Sequence, residues 1–370
     1  MRIALFSEVF PPQVEGITTR LSATIPELVR LGHEVTVFAP RSAGAFRGAR
    51  VIPVPSVPLP VHPGLEAALP DPRIAAHLAR ERPDVVHVVG PVCLGAWGAS
   101  VARALRLPLV ASFHMDLARS ALGYGLGFAS SALARWQRAL HGLAHVNLCS
   151  SSAARHELLE FGVGRVDLWR DGVDPERFHP SKRSLTMRDR LSDGNPERPL
   201  ILSVGRLAAE KNLESLAWVM DALPGARLAL VGDGPDRARL ERVFTKLPVR
   251  FEGFLRGEEL AAAYASADVF VMPSPTGRLG FVALEAMASG VPVVAAEAGR
   301  IHDLIRHGEN GLLYDPAERK AAVAPIEQLL SSRGLRLQLA RMGRKAAENA
   351  SWEGETFRLL ASYEKARELA

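Results

Sequence analysis

The sequence predicts an α/β protein built from two doubly wound, Rossmann-like domains that face each other across a cleft. Three observations predict it. Short runs rich in Val, Leu and Ile recur along the chain, amphipathic stretches of helical period lie between several of them, and the alternation lapses once, near residue 180, before it resumes. Strands that are apolar throughout and separated by helices belong to parallel sheets covered on both faces. With 370 residues, 48% of them apolar, the chain is also too long for one typical domain.

The first strand candidate, "RIALFS", directly follows Met1 and has the length of a buried strand, not of a signal-peptide apolar region with a cleavage site. In "SEVFPPQVEGITTR" the Pro-Pro pair and Gly16 fix a loop whose N–H groups, with a helix start behind them, suit an anion; a glycine that only turns the chain reads equally well. The next helix should run from about Ile17 to Leu31 with Ile17, Leu21, Ile25 and Leu28 on one face, and Pro26 inside it predicts a kink or an early break. "EVTVFAP", "VVHVVG", "LVASFH" and "HVNLCS" continue the strands of a domain spanning 1–180. His114 closes "LVASFH", and with its neighbour Asp116 it falls where open α/β sheets bind ligands.

The polar "SKRSLTMRDRLSDGNPERP" reads as the linker into a second domain, 181–355, with strands "LILSVG", "ARLALVG", "VRFEGF", "VFVMPS" and "VPVVAA". In "SVGRLAAEKNL", Arg206 and Lys211 sit past a strand end and can converge on one diphosphate, Arg as a fork and Lys as a point charge, with a helix entered from Asn212. "GDGPDR" lacks the third glycine of a dinucleotide fingerprint and a ribose acid after it, which disfavours a nicotinamide dehydrogenase. In "SPTGRLGFVALEAMASGVPVV", Gly280, Phe281 and Val282 open a helix whose N–H groups suit an anion, while Glu285 suits a neutral diol such as a ribose. The final stretch, 356–370, is helical.

Composition narrows the choice of partners. The net charge of +5 suits a nucleotide phosphate or an acidic lipid surface, or is an ordinary basic surface; without a Lys/Arg tract or a recognisable module, nucleic acid is not an expected partner. No run approaches the roughly eighteen apolar residues of a membrane span. The protein is therefore expected in the cytoplasm, with the inner face of the cytoplasmic membrane open to it. Cys93 and Cys149 read as reduced core residues. No Asp-x-Asp pair occurs, so no metal is expected in the chemistry.

Together these motifs resemble the retaining GT-B glycosyltransferases of glycosyltransferase family 4 (group 1). "PPQVEGITT", "GHEVTVFAP", "RPDVVHVVGP", "SFHMD", "DGVDPERFHP", "VGRLAAEKNL", "VGDGP", "YASADVFVMPS", "GFVALEAMASGVPVV" and "ENGLLYDP" occur in family order over nearly the whole chain. The resemblance implies a GT-B fold, a GDP- or UDP-linked sugar as donor, no cofactor, and metal-independent transfer. It places Gly16, Arg206 and Lys211 on the donor diphosphate, His114 at the reacting centre and Glu285 on the ribose, and it has the closing helix 356–370 cross back to the N-terminal domain. The family pairs that last glutamate with another eight positions earlier, where this chain has Gly277. The change either redirects donor-sugar binding, with Arg278 meeting an acidic sugar, or leaves an inactive nucleotide-sugar-binding protein.

"RPDVVHVVGP" with "SFHMDLARSALGYGLGF" is similar to the branch that glycosylates lipids or lipid-linked acceptors. That likeness puts Asp116 and Tyr124 on the acceptor side and adds a lipid or small-molecule acceptor and peripheral membrane contact to the expected partners. Trp136, between Arg135 and Arg138, suits either an interfacial position or a buried helix stripe. A sugar-nucleotide epimerase of the same fold is a further alternative.

Overall fold

The structure, a computed structural model, describes residues 1–11, 16–40, 44–58, 66–90, 92–114, 117–118, 127–275, 280–299 and 301–370. It divides into two units, one comprising Met1–Asp171 and Trp352–Ala370, the other Gly172–Ser351. The first contains β1 (Arg2–Ser7), β2 (Glu34–Pro40), β3 (Gly44–Phe46), β4 (Ala49–Val54), β5 (Ser56–Pro58), β6 (Glu66–Ala68), β7 (Val85–Val89), β8 (Leu109–Phe113), β9 (Val146–Cys149) and β10 (Val166–Leu168). Its main sheet runs β10-β9-β8-β7-β1-β2-β4-β3, and only β3 pairs antiparallel. The second unit contains β11 (Leu200–Val204), β12 (Arg227–Val231), β13 (Val249–Gly253), β14 (Val269–Met272), β15 (Val293–Ala296) and β16 (Leu312–Tyr314), ordered β13-β12-β11-β14-β15-β16 and parallel throughout.

Both sheets are doubly wound, and the reason is visible strand by strand. Ile3 and Leu5 enter one core of the first unit while Ala4 and Phe6 enter the other. Likewise Ala229 and Val231 of β12 face one core of the second unit, and Leu228 and Leu230 the opposite one. Side chains alternate across a strand, so a strand buried on both faces must be apolar at every position. Each large side chain so buried contributes about 1.5–3 kcal/mol. In each sheet the strand order reverses beside the first strand of the unit, between β1 and β7 and between β11 and β14. Ligands bind at the carboxyl ends of strands at such switch points.

Several expectations are corrected. The helix Gly16–Arg30 runs through Pro26 without a break, because Leu21, Ile25 and Leu28, at most 1% exposed, hold its inner face in the core. The stretch read as a linker belongs to the second unit, and the chain crosses between units at Asp171/Gly172, not at 180. There the helix Leu185–Leu191, capped by Ser184, buries Met187 and Leu191. Arg188 satisfies the carbonyls of Pro196, Arg198 and Ser266 and pairs with Asp268 at 2.8 Å. A polar composition concealed a charge that is paired and hydrogen-bonded inside the fold. Cys93 is exposed at the N-cap of the helix Leu94–Ala104, since that helix turns Leu94, Ala99 and Ala102 inward; Cys149 is buried as expected.

The last helix, Trp352–Glu368, is grouped with the first unit and lays Leu359, Tyr363 and Ala366 into the core beside Leu5 and Val110.

Candidate active site

In the second unit the chain leaves β11 through Gly205, Arg206 and Leu207. Arg206, Lys211, Ser274 and Val282 line one pocket with Gly205 and Met272, at the switch point between β11 and β14. The Arg206 loop is held from behind by the turn after β12. Gly205 N–H donates to the Val231 carbonyl (2.9 Å), Leu207 N–H to that of Asp233 (3.0 Å), and Asp236 N–H to that of Leu207 (3.0 Å). That contact explains the glycines of "GDGPDR". A Cβ at Gly232 would lie 1.9 Å from the Gly205 oxygen, and one at Gly234 would lie 2.3 Å from the Leu207 oxygen. They permit backbone to pack on backbone and are no dinucleotide fingerprint.

Arg206 is exposed, and its guanidinium makes no hydrogen bond or ion pair among the described residues. Lys211 ends a short 3₁₀ turn, Ala209–Lys211, and Asn212 follows at φ 50°; the regular helix begins only at Leu216, later than expected. Ser274, which the sequence reading missed, donates its hydroxyl to the Glu210 carbonyl at 3.1 Å and so ties the β14 end to the Lys211 turn.

The helix Phe281–Ala288 starts after Gly280, and Val282 in its first turn reaches the pocket. The first amides of a helix have no partner within it. Glu285 lies one turn further on and is not an exposed helical acid. It is largely buried, and the Tyr264 hydroxyl donates to its Oε2 at 2.8 Å. Burial pushes this carboxyl up to about 7, with the Tyr264 hydroxyl and the charge of Arg177 opposing the rise. Tyr264 is fully buried, with its ring edge-on to Phe178. Sequence reading missed it, because a tyrosine inside an apolar helix gives no sign of what its hydroxyl will meet. Gly277 and Arg278 lie outside the described residues.

In the first unit Gly16 is exposed at the start of its helix. His114 follows β8, half-buried, with its Nε2 2.9 Å from Ser112 Oγ and its ring edge-on to Trp169 at 5.8 Å. Arg20, only 4% exposed, stacks over Trp169 at 4.6 Å and pairs with Asp171. Asp116 and Tyr124 lie outside the described residues. Glu8, which the sequence reading passed over, sits past the end of β1 and accepts the amides of Val92 (3.2 Å), Leu94 (2.7 Å) and Gly95 (3.3 Å) on one oxygen. Burial raises it to about 7 against those amides. The helix start at that switch point therefore already holds an acid of the chain itself.

His141 and His145, spaced four apart, do not form a metal pair. His141 Nδ1 meets Asn147 Oδ1 at 2.8 Å, and His145, beyond the end of its helix, accepts the Leu109 amide at 2.9 Å. Trp136 is 49% exposed and Phe128 89%, so Trp136 belongs to no buried stripe. Among the described residues no helix is long and apolar enough to cross a membrane.

Residues 189–346 match the family described as glycosyl transferases group 1, and residues 14–177 match glycosyltransferase family 4. The chain is 42% identical over 343 residues to a GDP-mannose-dependent alpha-mannosyltransferase of Mycolicibacterium smegmatis, covering 90% of each protein. It is 39% identical over 368 residues to the sulfoquinovosyl transferase SQD2 of Arabidopsis thaliana, covering 97% of this chain and 72% of the relative. Among solved structures, Anabaena Alr3699/HepE in complex with UDP superposes with a TM-score of 0.76 at 20% identity, over 98% of this chain and 100% of that one.

Proposed function

Because the chain belongs to glycosyltransferase family 4, the group 1 glycosyltransferases of GT-B fold, and is a nucleotide-sugar glycosyltransferase, we propose that it moves a hexose, with retention and without a metal ion, to a hydroxyl of a lipid acceptor. The observation that carries this reading is the pocket at the β11/β14 switch point, where Arg206 and Lys211 stand together and Val282, from the first turn of the helix Phe281–Ala288, lines the same space. Breaking the glycosidic bond leaves negative charge on a diphosphate. Two cations and helix amides placed in advance stabilise that charge more in the transition state than in the bound donor. The acceptor hydroxyl then attacks from the face the diphosphate leaves, and the departing phosphate oxygen takes its proton. No pair of carboxylates of the hydrolase kind is required.

Glu285 binds the ribose diol as an acceptor. Its charge would oppose the diphosphate, and its place one turn into the helix suits a neutral partner. His114 acts at the reacting centre, with Gly16 on the diphosphate and Asp116 and Tyr124 on the acceptor side. Phe128 and Trp136, with Arg135 alongside, suit peripheral contact with an anionic membrane surface, where such an acceptor resides.

Incubating the protein with GDP-mannose and with neutral and acidic UDP-hexoses, with and without lipid, and measuring free nucleoside diphosphate tests the reading. Release that needs lipid and survives EDTA supports it. Product formed without any acceptor points to an epimerase, and nucleotide-sugar binding with no turnover points to an inactive binding protein with Gly277 as its cause.

A further inference from the structure

The first unit contains a buried chain of hydrogen-bonding groups that ends on His114. Tyr363 Oη lies 2.8 Å from His87 Nδ1, His87 Nε2 lies 3.1 Å from Ser112 Oγ, and Ser112 Oγ lies 2.9 Å from His114 Nε2. Tyr363, His87 and Ser112 are each 0% exposed. Tyr363 comes from the closing helix, His87 from β7 and Ser112 from β8.

The direction of every proton in this chain follows from its buried end. The only described partner of the Tyr363 hydroxyl is His87 Nδ1, so the phenol must donate there or leave its hydrogen buried without an acceptor. His87 is neutral, since complete burial holds its imidazole down to about 3. With Nδ1 accepting, its proton is on Nε2 and goes to Ser112 Oγ. The serine hydroxyl, having accepted from His87, donates onward to His114 Nε2. A proton on His114 Nε2 would leave Ser112 accepting from both imidazoles with its own hydroxyl hydrogen lacking an acceptor among the described residues, or else reverse every link and strand the phenol hydrogen.

We propose that Tyr363, His87 and Ser112 are positioning residues that hold His114 neutral with its proton on Nδ1, so that His114 meets the reacting groups as a hydrogen-bond donor and not as a base. The assignment of His114 to the reacting centre rests on the function proposed above; the tautomer rests on the buried chain alone. A stranded buried donor corresponds to a roughly 5- to 150-fold preference between the two tautomers.

The test is long-range ¹H–¹⁵N spectroscopy on the full chain labelled at histidine, with the His114 signals assigned by their loss in His114→Ala. The wild type should carry its proton on His114 Nδ1. Tyr363→Phe should give a mixture of tautomers, and Ser112→Ala should do so independently if the phenylalanine variant folds poorly. In a variant with equal tautomers, kcat should fall by about twofold, following the competent fraction, with nucleoside diphosphate affinity unchanged. A proton on Nε2 in the wild type, or an unchanged tautomer in both variants, overturns the proposal. If the tautomers behave as stated but His114→Ala transfers sugar at the wild-type rate, the relay stands and His114 leaves the reacting centre.

Discussion

Replacing Glu285 with glutamine should make the second unit more stable at alkaline pH while weakening its hold on nucleotide. In the fold this carboxyl is raised from 4.5 to about 7, chiefly by burial. The folded chain therefore keeps a proton that the unfolded chain releases between those values. The stability associated with Glu285 is fully present below pH 4.5 and is lost as pH rises through 7. Above that pH the buried charge costs about 3 kcal/mol relative to a group that does not ionise. Glutamine has the same shape and still accepts from Tyr264. The variant should lie within about 1 kcal/mol of the wild type at pH 5 and gain up to about 3 kcal/mol at pH 8, the latter a rise of roughly 6–12 °C in Tm for a unit of this size. Scanning calorimetry at both pH values resolves it, with the transitions of the two units fitted separately. An equal Tm difference at pH 5 and pH 8 would refute the argument, because it would mean that the carboxylate is not desolvated. Nucleoside diphosphate affinity should move the other way and fall by about 10- to 100-fold, the loss expected for a hydrogen bond to a charged group.

Arg206→Ala and Lys211→Ala should each lower kcat by about 10²- to 10³-fold, since each removes a contact to growing charge; steady-state rates near wild type would remove the pocket from the chemistry. Gly234→Ala pushes a methyl group to within 2.3 Å of the Leu207 carbonyl and must displace the Arg206 loop. Calorimetric affinity for nucleoside diphosphate should fall about tenfold, in line with a typical backbone displacement; an unchanged value would mean that the turn after β12 does not position Arg206. Gly277→Glu should alter the ratio of rates with neutral and acidic donor sugars while leaving nucleoside diphosphate affinity alone. If that ratio is the same in wild type and variant, position 277 does not face the sugar.

Strands β1, β2, β7, β8, β9, β11, β12, β14 and β15 were legible in the sequence because burial on both faces leaves a largely apolar run, and the half-buried edge strand β13 because Val249 and Phe251 alternate with Arg250 and Glu252. Strands β3 to β6 were not, since Pro53, Pro58, Arg50 and Glu66 interrupt any such pattern and short edge strands need little of it. Arg206 and Lys211 could be read from their place after a strand end, and both line the pocket found there. Local order of that kind is written in neighbouring residues: the period of a strand, the turn that ends it and the helix that follows.

What the sequence could not determine depends on residues brought together from a distance. The hydroxyl that meets Glu285 comes from 21 positions away, and His87 finds Tyr363 across 276. Glu8 reaches amides more than 80 positions on, and Arg188 turns an apparent linker into part of the second unit. In each case a polar group takes its role from what burial removes and what partner remains, and its protonation follows from both. Only the packed chain sets those two terms, because desolvation and hydrogen-bond geometry arise from tertiary contact and leave no period in the sequence.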